Sequence, residues 1–425
     1  MNHYTLKAAT LLCVAAVTFS AGNCSRSKIS GPLPQRGYLW QREWTPAVID
    51  AVKETQRRMD GIVLLGAEID WIGNKAEVVR ATIDWKTVKR GAKPCSLALR
   101  VAPFSGSSGV DNARIKFIVD VAKSLFDDAR KHGVNVQEFQ LDFDSAQKDL
   151  ANYREWLRVL RSAIRPVRFV ITALPAWLDE PAFVSLAREV DGYVLQVHSV
   201  PVRNGESTTL CDSRLARMWV EKAARLRLPF SVALPTYRCS AGYDAAGKLL
   251  GVAMDSVQPA WPPNTRVLEF ASDADEIAAL VHEWQQARPR ELRELIWYRV
   301  PVATDARNWR WATLSAVMAG RKPLHKLSVV QEGENPIDVA IVNEGQADEQ
   351  LDSAVTVTWS EQTLVAADAL AGWIVDLARA RAIFTIANGH HMRLPPGATR
   401  KIGWLRYDRP TNLRLGLAKR DETRR

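Results

Sequence analysis

Short apolar runs alternate with amphipathic segments along the chain up to residue 324. The apolar runs have the length and composition of buried strands, and the segments between them carry apolar residues at three- and four-residue spacing, which is typical of helices. Eight such runs are present: YLWQREW from Tyr38, GIVLLGAEID from Gly61, SLALRVAPF from Ser96, VQEFQLDFD from Val136, RFVITALPAWL from Arg168, GYVLQVHSV from Gly192, PFSVALPTYR from Pro229 and ELIWYRVPV from Glu294.

This alternation predicts an α/β fold with parallel strands joined by right-handed crossovers. The simplest fold with eight such units is a (β/α)8 TIM barrel, over residues 36–324, in which the strands close into a cylinder. An open doubly wound sheet is the alternative, but no glycine-rich phosphate turn follows the first strand. Residues 74–93 lack a clear helix, and RVLEF from Arg266 predicts an extra strand. The predicted helices are PAVIDAVKETQRRM, NARIKFIVDVAKSLFDDARKHG, LANYREWLRVLRSAI, EPAFVSLAREV, RLARMWVEKAARLRL and DADEIAALVHEW.

The pattern changes after residue 324. Short β-rich runs separated by Gly, Asn and Pro predict a small all-β, sandwich-like domain over residues 325–410. The pair His390–His391 follows Gly389 in a predicted turn, where a solvated loop is favoured over a metal site because no further ligands lie nearby. Residues 411–425 are strongly basic and predict a flexible tail.

The N-terminus has the pattern of an export signal over residues 1–24. Lys7 precedes the apolar stretch AATLLCVAAVTF, and small residues follow it. Two processing routes stay open: cleavage after Gly22, or lipidation at Cys24, although Asn23 stands where lipoprotein processing prefers a small residue. The sequence therefore predicts a bacterial protein that is periplasmic or anchored to a membrane as a lipoprotein.

Composition limits the classes of partner. Hydrophobic residues make up 47% and charged residues 24% of the chain, which fits a folded globular protein. The net charge of +10 lies partly in the basic tail, and no basic stripe is interleaved with aromatics, so we expect no nucleic-acid partner. We also expect no cofactor. The fifteen Trp residues fit a core, but Trp also stacks on the rings of ligands.

The fourth predicted strand carries the clearest chemical signal. Because successive side chains of a strand point to opposite faces, Glu138, Gln140, Asp142 and Asp144 share one face, and the apolar residues between them share the other. Two carboxylates this close repel each other, and burial raises the pKa of at least one. One acid can then hold a proton while its neighbour stays ionised, as acid–base catalysis requires.

Polar and aromatic residues gather at the carboxyl ends of the other predicted strands, where TIM barrels bind ligands. Glycoside hydrolysis needs a carboxylic acid and a second carboxylate. Asp144 is the candidate acid, and Glu68 or Asp142 is the candidate base or nucleophile. Stacking and polar contacts to sugar rings are assigned to a further set of candidate substrate-binding residues: Trp71, Arg100, Trp177, Gln196, His198, Tyr237, Trp297 and Arg299.

Each of these residues also has a structural interpretation. Asp142 and Asp144 could cap the following loop or bind a hard cation. Glu68 could form an ion pair with Arg42 or Arg100. His198 and Trp297 could be ordinary core residues. The functional interpretation depends on all of these side chains meeting at one end of the barrel.

Three cysteines follow the leader: Cys95, Cys211 and Cys239. Export makes a disulfide feasible. Cys211 and Cys239 follow adjacent strands at the same end of the barrel, so a bridge between them is predicted, whereas Cys95 opens the third strand at the opposite end and is expected to be free.

Several segments together resemble a bacterial family of exported proteins, domain of unknown function 3142: YLWQREWTPAV, EFQLDFD, LQVHS, IWYRVPV and NWRWATL. The resemblance covers nearly the whole chain after the leader and implies a fold grouped with the TIM-barrel glycoside hydrolases. QLDFD is also similar to the D-x-D-x-E motif of chitinase-like family 18 hydrolases. In one register Ala146 replaces the catalytic glutamate; in the other, Gln140 replaces the first aspartate and Asp144 becomes the acid.

The leading hypothesis is an exported glycoside hydrolase-like barrel that acts on an envelope or extracellular polysaccharide. The alternative is a carbohydrate-binding or envelope-assembly protein on the same barrel without turnover. The incomplete D-x-D-x-E motif keeps both hypotheses open.

Overall fold

A computed structural model of the chain describes residues 28–419, except 74, 104–111, 202–207, 255–258, 361, 371 and 388–391. The predicted leader with Cys24, the pair His390–His391 and the last residues of the predicted tail (420–425) lie outside the described residues. No helix of the described residues is long and apolar enough to cross a membrane.

Within the described residues, eight parallel strands close into a barrel, as the alternation predicts. Neighbouring strands pair in chain order, and the first strand pairs with both the second and the eighth. An antiparallel strand, Lys75–Arg80, extends the edge of the second strand. The barrel strands are β1 (Gln35–Leu39), β2 (Gly61–Ile72), β3 (Cys95–Val101), β4 (Val136–Phe143), β5 (Arg168–Ala173), β6 (Gly192–Gln196), β7 (Phe230–Pro235) and β8 (Leu292–Tyr298).

Helices cover the outside of the barrel, and all six that the sequence predicts are confirmed. A short helix also forms between β2 and β3, where no clear helix is predicted; the Asp84 side chain caps it by accepting the Thr87 amide at 3.0 Å. The helices are α1 (Pro46–Arg58), α2 (Trp85–Arg90), α3 (Asn112–Lys131), α4 (Leu150–Ile164), α5 (Pro181–Ala187), α6 (Ser213–Ala224), α7 (Ala274–Gln286) and α8 (Trp311–Met318).

A charged network fills the amino-terminal end of the barrel interior. Arg36 from β1 donates to Glu138 of β4 at 2.9 Å and to Glu294 of β8 at 2.5 Å, and it also bonds the Ser96 hydroxyl at 2.8 Å. Arg168 pairs with the other oxygen of Glu138 at 3.1 Å. Burial opposes the Arg36 charge, but the two carboxylates outweigh it and hold its pKa above the usual value.

An excursion follows β7 before the chain reaches α7. It forms a three-stranded antiparallel sheet with Arg238–Tyr243 in the centre, between Leu249–Ala253 and Arg266–Ala271. The last of these strands contains the predicted extra strand RVLEF. The excursion lies at the carboxyl end of the barrel, because its first strand begins three residues after β7 ends.

The C-terminal domain is an antiparallel sandwich, as the sequence predicts. One sheet has the order β9–β10–β17–β13, the other has the order β14–β15–β12–β18, and both bury side chains in one apolar core. Its strands are β9 (Leu327–Glu332), β10 (Ile337–Asn343), β11 (Glu349–Leu351), β12 (Ser353–Thr358), β13 (Leu364–Ala369), β14 (Trp373–Ala378), β15 (Arg381–Ile386), β16 (Met392–Leu394), β17 (Thr399–Tyr407) and β18 (Arg414–Lys419).

The prediction of a flexible tail from residue 411 is wrong for β18. This strand pairs with β12 along its whole length, from Ser353 opposite Lys419 to Thr358 opposite Arg414. The alternation of Arg414, Leu415, Gly416, Leu417 and Ala418 suits an edge strand, because apolar residues alternate with polar or small ones. The sandwich therefore extends to residue 419 rather than ending at residue 410.

The predicted disulfide between Cys211 and Cys239 is also wrong, because both cysteines are free, buried thiols, as is Cys95. Cys239 packs into the apolar cluster of the excursion with Phe270, whereas Cys211 belongs to the main core of the barrel. Lying at the same end of the barrel does not bring two thiols together when each points into a different core.

The charged network should contribute strongly to stability, because it links β1, β4 and β8. We expect Arg36→Met to lower the free energy of unfolding by about 3–5 kcal/mol, since it leaves buried carboxylates without their counter-charge. Urea denaturation of both proteins measures this difference. Arg130→Met is the matched control: it breaks an exposed ion pair with Asp127 and should change stability by less than about 0.5 kcal/mol. Equal effects of the two substitutions would contradict this role of the network.

Candidate active site

The carboxyl ends of the barrel strands surround a cavity of 270 Å³, called here the mouth cavity. The side chains that line it come from most of the barrel strands and the loops that follow them, together with one residue of the excursion. They are Tyr38, Trp40, Arg100, Asp142, Asp144, Thr172, Leu174, Gln196, His198, Ser199, Ala233, Tyr237, Met254 and Tyr298. Four predicted site residues besides the aspartate pair line this cavity: Arg100, Gln196, His198 and Tyr237. A fifth, Arg299, lines the neighbouring cavity.

A hydrogen-bonded column on β4 leads from the charged network to this cavity. Gln140 donates to Glu138 at 2.8 Å, and its carbonyl oxygen accepts from the Tyr38 hydroxyl at 2.5 Å. Asp142 is the next inward-facing residue of the strand. The position of Asp142 is therefore fixed from below by groups that are themselves buried and paired.

Asp142 is half-buried and has polar neighbours on both adjacent strands. Thr172 on β5 donates to its Oδ1 at 2.8 Å, and Gln196 on β6 lies at 3.4 Å from the same oxygen. Burial and the nearby Asp144 charge raise the pKa of Asp142 from 3.8 to about 6, against the opposing effects of Thr172 and Arg100. This carboxyl group can hold a proton in weakly acidic solution.

Asp144 follows β4 directly and is exposed at the rim of the cavity. The surrounding protein still removes part of its hydration, which raises its pKa, while the positive charge of Arg100 opposes that rise. Asp142 and Asp144 thus lie on one face, as predicted, with one carboxyl deep in the mouth cavity and one at its entrance. The two carboxyls influence each other, so their proton belongs to the pair.

Aromatic rings form one wall of the mouth cavity around Tyr298. Its ring packs edge-on against Trp40 at 5.5 Å, Tyr38 at 5.8 Å and Tyr237 at 5.7 Å. His198 stacks on it at 5.6 Å, and burial lowers the pKa of His198 to about 4, so the imidazole is neutral at pH 7. The wall offers flat ring faces and a neutral imidazole, which suit sugar rings and hydroxyl groups.

A second cavity of 540 Å³ adjoins the mouth cavity and shares Trp40, Arg100, Met254 and Tyr298 with it. Glu68 lines this adjoining cavity and forms an ion pair with Arg42. Arg299 also lines it and pairs with Asp305 at 2.7 Å. Glu68 is therefore not placed in the mouth cavity with the aspartate pair, and its structural interpretation as an ion-pair partner of Arg42 is the one the structure supports.

Three predicted stacking residues do not reach either cavity. Trp177 is 1% exposed and donates its indole N–H to the Ser145 carbonyl at 3.2 Å, and Trp297 is 0% exposed and donates to the Gln35 amide oxygen at 2.8 Å. Trp71 packs edge-on against Phe117 at 5.9 Å, with Arg114 over its ring. The prediction of Trp177 and Trp297 as sugar platforms is wrong, because both rings are buried in the protein, whereas Trp71 is half-buried and lines neither cavity.

The sequence interpretation also missed Trp40 and Tyr298 as site residues. Strand alternation could have found Tyr298: if Glu294 and Ile296 of β8 point inward, Tyr298 does too, and Trp297 must point outward. Trp40 was harder to assign, because β1 begins at Gln35 rather than at the predicted Tyr38. No group of three or more His, Cys, Asp or Glu side chains in the described part of the chain is arranged to hold a metal ion.

Comparison with solved structures gives loose matches. The spore cortex-lytic enzyme SleL of Bacillus megaterium QM B1551 is 12% identical, with a TM-score of 0.49 over 70% of this chain and 75% of that one. A chitinase of Chromobacterium violaceum ATCC 12472 is 13% identical, with a TM-score of 0.47 over 68% of this chain and 98% of that one.

Family comparison is more direct. No curated protein sequence matches the chain. Residues 326–408, which fall in the sandwich, match the model of a separate domain of unknown function, DUF8456. The resemblance that the sequence segments indicated is confirmed over a narrower range than expected: residues 107–303, which run from before α3 to just after β8, match the model of the domain of unknown function family DUF3142.

Proposed function

We propose that this protein is an exported glycoside hydrolase that acts on an envelope or extracellular polysaccharide. The observation that carries the proposal is the aspartate pair: Asp142, with a pKa of about 6, and Asp144 lie at the mouth of an aromatic-walled cavity. Export, with or without a lipid at Cys24, remains part of the proposal and follows from the leader sequence alone.

The pair would supply the proton that glycosidic cleavage needs. Asp144, at the entrance, donates its proton to the leaving oxygen as the bond between that oxygen and the anomeric carbon breaks. A water molecule adds to the anomeric carbon, and its proton returns to the aspartate pair. The pair holds one proton, so Asp142 is ionised while Asp144 carries that proton; Thr172 and Gln196 orient Asp142 deeper in the cavity, and its charge favours the cationic transition state.

The sugar would lie against the ring wall formed by Trp40, Tyr237 and Tyr298. Its hydroxyl groups would meet Arg100, Gln196 and the neutral His198. Adjacent sugar units would extend into the adjoining cavity, because the two cavities share Trp40 and Tyr298. An extended polysaccharide fits this arrangement better than a single small molecule does.

A non-catalytic carbohydrate-binding protein is the second candidate, and two observations favour it. Within the described residues, no carboxylate from a strand other than β4 lines the mouth cavity. Glu68 of β2 lies in the adjoining cavity, where it is paired with Arg42. The residue in the acid position is also an aspartate, whose side chain is shorter than that of glutamate. Most glycoside hydrolases use carboxyl groups that flank the scissile bond.

Substitution of the aspartate pair separates the two candidates. A panel of polysaccharides is tested for both binding and product release with wild type, Asp144→Asn and Asp142→Asn. We expect each substitution to lower product release by about 10²-fold or more, because the proton donor or its partner is lost, while binding changes only a few-fold. Asp50→Asn is the matched control, because Asp50 is an exposed carboxylate of α1 that lines neither cavity, and it should retain release within a few-fold.

Two outcomes would contradict the hydrolase. Wild type that binds a polysaccharide but releases no product supports the binding protein instead. Product release that Asp144→Asn leaves unchanged would remove Asp144 from the chemistry.

The protonation of Asp142 in the folded protein can be tested without a substrate. Its pKa is higher in the folded state than in the unfolded state, so the folded state keeps a proton that the unfolded chain loses at lower pH. The stability of wild type relative to Asp142→Asn should therefore fall as pH rises from about 4 to about 6, by about 1–3 kcal/mol, and then level off. Urea denaturation across this pH range measures the difference. A difference that rises with pH would show that the pKa of Asp142 is lowered instead.

A further inference from the structure

A polar cavity of 410 Å³ lies between the barrel and the sandwich, away from the mouth cavity. Three arginines face it: Arg238 and Arg307 from the barrel side and Arg393 from the sandwich. His325, in the segment that joins the two domains, also lines it. A cavity with this many cationic side chains is suited to an anion, provided that the carboxylates around it do not already neutralise them.

Most of these cations have fixed partners. Arg238 pairs with Asp348 at 2.6 Å, and Arg393 reaches Glu269 at 3.5 Å and Asp348 at 4.0 Å. His325 lies between Glu349 at 2.8 Å and Asp275 at 3.4 Å. Of the three aspartates in the cavity wall, Asp348 and Asp275 are taken up by these pairs, and Asp273 accepts the backbone amides of Asp275 and Glu276 at the start of α7.

Arg307 is the exception. The residue is 8% exposed, and within the described part of the chain its guanidinium forms no ion pair with a carboxylate. Its guanidinium donates to the Ser240 hydroxyl at 3.2 Å, which satisfies only one of its donors. Removing a cation from water without a counter-charge is unfavourable, so a buried arginine that faces a polar cavity indicates that an anion completes the site.

The neighbouring residue, Asn308, fixes the segment that carries Arg307. It is also 8% exposed, and its amide nitrogen donates to the carbonyl oxygens of Arg299 and Val300, at 3.0 Å and 2.9 Å. Its amide oxygen is buried and has no hydrogen-bond partner. The counter-charge that Arg307 lacks is therefore what a ligand of the cavity must supply.

We propose that the cavity between the barrel and the sandwich binds a small anion, such as a sugar carboxylate or a sugar phosphate. Arg307 binds the anionic group through its remaining guanidinium donors. Arg393 approaches from the sandwich, so the bound anion contacts both domains. This site is distinct from the aspartate pair and does not depend on cleavage of a polysaccharide there. Tyr237 lines both cavities, which places the anion one side chain from the mouth cavity.

The test is a thermal-shift titration of the full chain with glucuronate, glucose 6-phosphate, inorganic phosphate and neutral glucose, each at millimolar concentration. We expect at least one of the three anions to raise the Tm of wild type by about 2–4 °C, and glucose to leave it unchanged. Glucuronate and glucose 6-phosphate separate a carboxylate ligand from a phosphate ligand. Calorimetric titration of the same anion gives its Kd.

Arg307→Met should abolish the shift, because it keeps the volume of the side chain and removes the charge. Arg310→Met is the matched control, since Arg310 bonds the Ala303 carbonyl at 2.8 Å and does not line the cavity; it should retain the full shift. Circular dichroism checks that Arg307→Met folds. If it does not fold, Arg393→Met, on the sandwich side, should raise the Kd about tenfold.

The proposal is overturned if none of the three anions shifts the Tm of wild type, or if the shift is the same in wild type and Arg307→Met. A loss of the shift in Arg310→Met as well would point to general surface charge rather than to this cavity. These readouts do not involve product release, so they fail or succeed separately from the proposed hydrolase activity.

Discussion

The buried ion pairs of Arg36 with Glu138 and Glu294 are the constraint on which the rest of the barrel depends. They join β1, β4 and β8 across the interior. Separating a buried charge from its partners is strongly destabilising, so these strands are held in one register. A shift of any of these strands by one residue would turn the charged side chain outward into the apolar layer between strands and helices. The network therefore sets the register of the strands that carry the aspartate pair and the ring wall.

The same constraint explains why Asp142 holds a proton. Tyr38 donates its hydroxyl proton to Gln140, and Gln140 donates to Glu138, so the hydrogen bonds of these inward-facing groups below Asp142 do not go to its carboxylate. Only Thr172 and Gln196 remain, and the second of these bonds is long at 3.4 Å. With few donors, a neighbouring negative charge and little water, the protonated form is favoured. The raised pKa results from how β4 is anchored rather than from Asp142 alone.

The sequence predicted the barrel, the sandwich and the inward face of β4, because those features depend on local periodicity. It failed where the outcome depends on contacts between distant segments. Trp177 and Trp297 look like ligand platforms in sequence, but neighbouring elements cover both rings and accept their indole protons. Cys211 and Cys239 lie at the same end of the barrel but in separate cores. The tail looked flexible because the partner of β18, the strand Ser353–Thr358, lies about sixty residues earlier in the chain.

The mouth cavity and the adjoining cavity differ in how their charged side chains are paired, and this difference bears on which ligands they could bind. In the adjoining cavity Arg42 pairs with Glu68 and Arg299 pairs with Asp305, and Glu43 and Arg100 also line it, so that wall is nearly neutral but rich in hydrogen-bonding groups. In the mouth cavity Arg100 is the one cationic side chain that the described residues place beside the aspartate pair, so one carboxyl must take up a proton or leave a net negative charge. A neutral, hydroxyl-rich chain can occupy both environments, because it neither needs a counter-charge in the first nor repels the carboxylates in the second. This argues for an uncharged stretch of polysaccharide as the ligand of the shared ring wall.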